Sequence, residues 1–223
     1  MTDKHEAVKG IFDKISGKYD ILDSIVSMGL DQHWRRKLVK TIGISDGMDI
    51  IDCGAGTGKL TEMMINKYPG THVTALDITD SMFRKSLLPR CRFVVSPAET
   101  LPFGSETFDR ATSAFLTRNL ADIDAYFSEV YRVLRPGGIF ANIDIYNPVL
   151  PVFSQFFSVY FYHIVPFIGN RATDSKNYTY LANSVRNFYP VSVVKSKLQN
   201  VGFRDVKIYD LFFTSVTMHV AKK

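Results

Sequence analysis

Cysteine is scarce in this 223-residue sequence, with only Cys53 and Cys91. That excludes a disulfide framework and suits a reducing cytoplasm. The opening residues, among them Asp3, Lys4, His5 and Glu6, hold no apolar run, so no secretory signal is expected. No internal repeat or low-complexity tract is visible. A basic stripe with interleaved aromatics is missing, as is an N-P-P-Y block, which argues against nucleic acid as a partner. The formal net charge of +5 is a mild excess that favours anionic lipid at most. From Pro148 to Gly169 there is no Lys, Arg, Asp or Glu. Pro151 and Pro166 interrupt this segment, and Ser154, Gln155, Ser158 and His163 dilute it, so it reads poorly as a membrane span. It suits a helix buried by a neighbour or a dimer partner, an apolar wall for a greasy substrate, or a surface that dips into the bilayer interface.

What the sequence does have is ordinary for a globular protein: 46% hydrophobic and 22% charged residues, enough for one α/β domain with an elaboration. Its organising stretch is Ile50-Ile51-Asp52-Cys53-Gly54-Ala55-Gly56-Thr57-Gly58, a buried strand running into a tight turn, with a helix starting at Lys59. Glycines belong there because the backbone takes positive φ, or because a ligand lies against the main chain. The next strand, His72 to Asp77, ends in an acid placed to accept hydrogen bonds from a ribose diol. A dinucleotide site wants G-x-G-x-x-G, whereas this spacing puts Lys59 where the third glycine would stand. The D-x-G-x-G-x-G arrangement is the S-adenosylmethionine pattern, in which the loop lies under an amino-acid tail.

Around this core, Val8, Ile11, Phe12 and Ile15 share one helical face and Leu22, Ile25 and Val26 form a second apolar set. Asp31 is placed to cap a helix whose Trp34, Leu38 and Ile42 share a face, with Arg35, Arg36, Lys37 and Lys40 elsewhere. These N-terminal helices read as a lid. Strands are expected at Arg92–Ser96, Phe108–Phe115 and Ile139–Ile145, with a helix carrying Ile123, Tyr126, Phe127, Val130 and Leu134 and stopped by Pro136-Gly137-Gly138. A last helix with Val194, Leu198 and Val201 closes at Gly202, before two β-rich runs. The alternation predicts a mostly parallel sheet with one antiparallel hairpin strand.

Phe12-Asp13-Lys14-Ile15-Ser16, Lys18-Tyr19-Asp20, Ser27-Met28-Gly29-Leu30 and Trp34-Arg35-Arg36 resemble the N-terminal signature of the menaquinone and ubiquinone C-methyltransferases of the UbiE/MenG type. The similarity continues through Ala98-Glu99-Thr100-Leu101-Pro102-Phe103, Arg118-Asn119, Leu134-Arg135-Pro136-Gly137-Gly138, Asp174 and Tyr180-Leu181, and it covers nearly the whole sequence. It implies a Rossmann-like class I methyltransferase: a seven-stranded sheet with one antiparallel strand, an N-terminal helical lid and a helical insertion after strand five. It also implies a single domain made of a cap (1–46), a cofactor-binding core (47–147), an apolar and aromatic insertion (148–190), and a final helix and hairpin (191–223). A cytoplasmic enzyme is expected, with peripheral membrane contact and homodimerisation as accompanying expectations.

The resemblance assigns Thr57 with the loop glycines Gly54 and Gly56 to the methionine part of S-adenosylmethionine and Asp77 to the ribose, and counts Asp52, Ala55 and Ile78 among the cofactor-binding residues. Pro97 and Ala98 would flank the adenine, and Ala114 the cofactor's edge. It departs from the family at Pro97 and Ala114, where polar residues are usual and Ser113 stands adjacent, at Leu116, where a glycine is usual, and at Asp144-Ile145. The implied reaction is methyl transfer to a ring carbon of a prenylated quinol, with demethylmenaquinol the first choice and no metal required. Loss of a proton from the neighbouring phenol, of pKa about 10, makes that carbon nucleophilic. Tyr19, Arg118 and Asn119 are the implied catalytic group, with Arg118 suited to electrostatic stabilisation because it stays protonated. Phe153, Phe156, Phe157, Tyr160 and Phe161 are expected to line a channel for the tail. Another lipid or small-molecule acceptor, or a cofactor-binding protein without turnover, remain as alternatives.

Overall fold

The computed structural model describes residues 3–15, 24, 27–173 and 177–223. A sheet of seven strands forms its centre: β1 (Asp49–Cys53), β2 (His72–Asp77), β3 (Arg92–Val95), β4 (Phe108–Ala114), β5 (Leu134–Ile145), β6 (Arg204–Phe212) and β7 (Val216–Lys222), in the order β3-β2-β1-β4-β5-β7-β6. β7 pairs antiparallel with both β5 and β6, and the other pairs are parallel. The one antiparallel strand is therefore β7, as the hairpin at the C-terminal end implies. The strand order reverses between β1 and β4, and the crevice beyond the carboxyl ends of those strands is where ligands of such sheets bind.

Among the described residues the helices are α1 (Asp3–Ile15), α2 (Asp31–Thr41), α3 (Lys59–Lys67), α4 (Ile123–Val133), α5 (Pro151–Val159), α6 (Val165–Thr173), α7 (Asn177–Arg186) and α8 (Val191–Val201). They cover both faces of the sheet. On one face Tyr126, Phe127 and Val130 of α4 and Leu198 of α8 pack on Ile51 and Phe140. On the other, Leu38 of α2 and Met64 of α3 pack on Ile50 and Ile143, together with Phe157 and Phe161. Each fully buried residue of this size contributes roughly 1.5–3 kcal/mol, so the two layers fix the sheet from both sides.

Several local expectations are corrected. The β4–β5 ladder already starts at Phe108↔Leu134 and shifts register before Arg110↔Ile139, so Pro136-Gly137-Gly138 is an irregularity within β5 rather than a plain helix stop. Asp31 does not cap α2: it lies buried in the first turn, bonded by buried Arg35 at 2.6 Å. Arg35 faces inward because Asp31 one turn back neutralises it. Pro166 does not interrupt the apolar segment. Tyr160–Ile164 forms a wide π-type turn, in which the Val165 N–H reaches the Tyr160 carbonyl, and the widened turn accommodates a proline that lacks an N–H. Pro151–Arg171 is consequently one run of 21 residues with a mean hydropathy of 1.3, long and apolar enough to cross a membrane by length and composition. The second apolar set, Leu22, Ile25 and Val26, lies outside the described residues.

Candidate active site

Gly54, Gly56 and Gly58 follow β1 with φ of 68°, 56° and 82°, a region other residues enter only at a cost. The turn is tied to the neighbouring strand, since the Gly54 and Ala55 N–H groups donate to the Leu76 carbonyl at 2.8 and 3.0 Å. Asp77 at the end of β2 then accepts from Gly56 N–H at 2.8 Å and from Thr79 N–H at 3.2 Å. Burial pushes its carboxyl up from the usual carboxylate range, and these N–H donors oppose that. Beyond loop and acid lies a cavity of about 660 Å³, bordered by Gly54, Gly56, Asp77, Ile78, Ser96 and Ala98.

The helix α1 closes this cavity through His5 and Val8. His5 Nε2 lies 3.0 Å from Glu99 Oε1, which also accepts the Ala121 N–H at 2.8 Å. At the other end of α1, Ser81 Oγ donates to Asp13 at 2.5 Å and the Thr79 hydroxyl donates to the same carboxylate. These donors hold the Asp13 carboxyl below its ordinary range. The helix is thus latched both to the turn after Asp77 and to the Glu99 corner.

A smaller cavity of about 320 Å³ continues past Gly54, Gly56 and Ala114, bounded by Asp52, Thr57, Lys59 and Arg35. Asp52 is buried and accepts the hydroxyls of Thr61 at 2.7 Å and Thr112 at 3.0 Å. Desolvation nevertheless pushes its pKa up to about 6.

Phe115, 7% exposed and at φ 65°, also borders the larger cavity. A bulky residue in that region is strained, and the strain is offset locally: the Phe115 carbonyl accepts Arg118 Nη1 at 2.9 Å and Asn119 Nδ2 at 3.2 Å. Its ring meets Trp34 edge-on at 6.3 Å. Beyond Phe115 opens an apolar cavity of about 750 Å³, walled by Trp34, Phe153, Phe156, Phe157, Tyr160 and Phe161. Phe157 and Phe161 stack at 4.9 Å.

Comparison with known proteins decides among the readings of this geometry. The ubiE/COQ5 methyltransferase family matches residues 1–223. The protein belongs to that family. A ubiquinone/menaquinone biosynthesis C-methyltransferase UbiE from Geobacter sp. strain M21 is 32% identical, over all of this sequence and 99% of the relative. The relative of the same name from Hahella chejuensis is 34% identical over all of this sequence and 94% of its own length. Among solved structures, an S-adenosylmethionine-dependent methyltransferase from Thermotoga maritima superposes with a TM-score of 0.67 at 14% identity, covering 96% of this protein and 99% of the other. At that identity the likeness shows the fold.

As a member of the ubiE/COQ5 family the protein is a methyltransferase that uses S-adenosylmethionine, and its residues fit that group. A Cβ on Gly56 would stand 3.8 Å from Met82 Cε, between two residues that line the cavity, so the loop presents bare backbone there. Each Asp77 oxygen has a lone pair left after its backbone bond, as a diol requires.

Of the residues the family pattern singles out, Gly54, Gly56, Asp77, Ile78, Ala98 and Ala114 border the larger cavity, while Asp52, Ala55 and Thr57 border its continuation. Pro97 lies between lining residues Ser96 and Ala98 without bordering the cavity itself. Ser113 does not substitute for Ala114, because its buried hydroxyl donates to Asn142 Oδ1 at 2.9 Å. Asn119 borders the cofactor cavity. Arg118 faces another, polar cleft with Tyr180, and its guanidinium is bonded to Asp144 at 2.6 Å in a buried pair, not at the surface. Tyr19 and Asp174 lie outside the described residues. Sequence reasoning gives no site role to Met82, Glu99, Arg35 or Lys59. The position of Lys59 directly after the glycine loop is a usable signal, whereas the placement of Met82 and Glu99 depends on loops without a pattern.

Proposed function

We propose that the enzyme methylates a ring carbon of a prenylated quinol, with demethylmenaquinol as the acceptor, where the cofactor cavity meets the apolar one. The observation that carries this reading is Phe115, which borders both. A ring placed against it has the cofactor loop on one side and room for a hydrocarbon tail on the other. Each buried CH₂ of such a tail contributes about 0.8 kcal/mol, which the aromatic walls of Phe153, Phe157 and Phe161 are suited to collect.

S-adenosylmethionine supplies a sulfonium-borne methyl group. The protein's own residues bind, orient and exclude water. Asp77 holds the ribose hydroxyls, with Ile78 and Ala98 flanking the adenine, Pro97 shaping that strand end, and Asp52, Gly54, Ala55, Gly56, Thr57 and Ala114 around the methionine part. Asn119 directs its amide at the acceptor hydroxyl or an intervening water. Arg118, paired with Asp144 beside a different cleft, acts by holding the turn that carries Asn119, and Tyr19 completes the group by family resemblance. Holding the acceptor carbon in line and dry can supply roughly 7–11 kcal/mol of the barrier reduction.

We read the protein as one domain in four parts: cap 1–46, core 47–147, insertion 148–190 and closing helix with hairpin 191–223. The apolar outer side of the insertion, with Val152 and Phe156 more than two-thirds exposed, suits peripheral contact with the cytoplasmic leaflet rather than a span, because Phe157 and Phe161 of the same run are buried against the core.

The test is transfer of labelled methyl from S-adenosylmethionine to demethylmenaquinol and to benzoquinol analogues, under reducing conditions in detergent. Transfer to the naphthoquinol is expected. Transfer to benzoquinols alone would correct the ring, and no transfer to any quinol despite cofactor binding would overturn the assignment.

A further inference from the structure

Ser113 in β4 and Asn142 in β5 are direct cross-strand partners, two residues beyond Ala111 and Phe140, which belong to the core under α4. Both are fully buried, so their polar atoms need partners inside the protein. An apolar pair of the same shape holds such a place about as well. Here the two instead begin a run of hydrogen bonds that leaves the sheet, and the sense of each bond follows from its far end. Asp144, paired with Arg118, only accepts, so the Thr117 hydroxyl gives its proton to Asp144 Oδ2 at 2.6 Å. The Thr117 oxygen then accepts from Asn142 Nδ2 at 3.3 Å, and Asn142 Oδ1 takes the Ser113 proton at 2.9 Å. The chain therefore runs in one sense from Ser113 through Asn142 and Thr117 to Asp144, and every member is buried. It ends on a carboxylate whose Oδ2 also accepts the Arg118 N–H, while Oδ1 accepts Arg118 Nη1 and the Ile145 N–H. With its lone-pair sites, about four in all, taken up in this way, the carboxylate is held in one orientation.

We infer that Thr117 and Asn142 are positioning residues for methyl transfer: the buried chain fixes the carboxylate that holds the Thr117–Asn119 turn, and with it the Asn119 amide at the cofactor cavity. Ser113 and Asn142 border neither that cavity nor its continuation, the apolar cavity or the polar cleft. They act on the reaction only through Thr117. The turn is sensitive to a lost bond because its Arg118 and Asn119 side chains also clamp the carbonyl of Phe115, which stands at φ 65°. A residue in that region keeps its conformation only while its surroundings over-determine it. Hydrogen bonds in a dry interior strengthen one another, so the chain acts as a unit. The part given to Asn119 rests on the quinol reading above, and the chain itself is also tested without an acceptor.

The experiment is a double-mutant cycle on kcat with Thr117→Val and Asn142→Leu in the full-length protein, with S-adenosylmethionine and demethylmenaquinol. Thr117→Val keeps the shape and removes the hydroxyl: kcat is expected to fall by about tenfold or more while KM for S-adenosylmethionine stays within about twofold. Thr117→Ser keeps the hydroxyl and is expected to bring kcat back to within about threefold of the wild type. Asn142→Leu alone is expected to lower kcat several-fold, and to add nothing in the Thr117→Val background, because it acts through the hydroxyl already lost. Fully additive losses would overturn the chain, as would a wild-type kcat in Thr117→Val or an equal defect in Thr117→Ser. An undiminished kcat in Asn142→Leu would remove Asn142 from it. If the wild type does not turn over the quinol, the acceptor reading fails and the chain is read from Trp34, the single tryptophan, which meets Phe115 edge-on at 6.3 Å. Thr117→Val is expected to shift its emission and Thr117→Ser to leave it, and emission unchanged in both would overturn the chain.

Discussion

The Arg118 guanidinium meets the Asp144 carboxylate at 2.6 Å, with 5% and 0% of the two side chains exposed. The same carboxylate accepts the Thr117 hydroxyl at 2.6 Å and the Arg118 N–H at 3.1 Å. Asp144 at the end of β5 thereby pins the short 3₁₀ turn Thr117–Asn119, and that turn holds the Phe115 carbonyl and presents Asn119 to the cavity. What looks in sequence like a change in the strand-five block is the anchor of the site's central wall.

Breaking that anchor is costly. Asp144→Ala leaves a buried guanidinium without its partner, and is expected to lower unfolding free energy by about 3–5 kcal/mol, measured by urea denaturation. Replacing both partners, as Arg118→Met with Asp144→Leu, is expected to restore much of that stability while methyl transfer stays low. A single Asp144→Ala that unfolds at the wild-type midpoint would show that the pair holds nothing.

Gly54 has two reasons to be glycine. Its φ of 68° costs an alanine about 1–2 kcal/mol, and the added Cβ would lie 2.8 Å from Leu116 Cδ1. Gly54→Ala is expected to weaken S-adenosylhomocysteine binding by tenfold or more. Adding Leu116→Ala removes the clash but not the backbone strain, so binding should recover in part. Full recovery would mean that the backbone conformation is of no consequence.

Asp52 makes stability fall as pH rises through the acid range. Burial raises its folded carboxyl from 3.8 to about 6, so between those values the folded protein binds more protons than the unfolded one. Its contribution is fully present below about pH 4, is lost as pH rises towards 6, and is flat above that. Asp52→Asn lacks this titration. The wild type's stability relative to Asp52→Asn should therefore decline from pH 4 to pH 6 in chemical denaturation, and a constant difference would contradict the burial argument.

The apolar cavity predicts a tail-selective defect. Phe156 borders the cavity yet is 71% exposed, so Phe156→Ser should leave the fold intact. It is expected to raise KM several-fold for long-tailed quinols and little for tailless ones, in steady-state kinetics. Equal effects on both would place the tail elsewhere.

The core is legible in the sequence because its signals are local and periodic. The loop Gly54 to Gly58 and the acid Asp77 sit on consecutive strands with a fixed crossover, and β7 as the antiparallel strand follows from two β-rich runs joined by a short turn. Pairings between distant segments are not legible. Nothing near Arg118 says that its partner is Asp144 on β5, 26 residues on, nor does Arg118-Asn119 say that the two side chains border different cavities. The apolar insertion is plain as a stretch without charge, but the π-type turn that carries it past Pro166 depends on where Phe157 and Phe161 find a core to pack against.

The most direct test is labelled methyl transfer to demethylmenaquinols that differ only in tail length. At about 0.8 kcal/mol for each buried CH₂, kcat/KM is expected to rise steeply over the first prenyl units, then level off once the cavity of about 750 Å³ is filled. Activity independent of tail length would contradict the account.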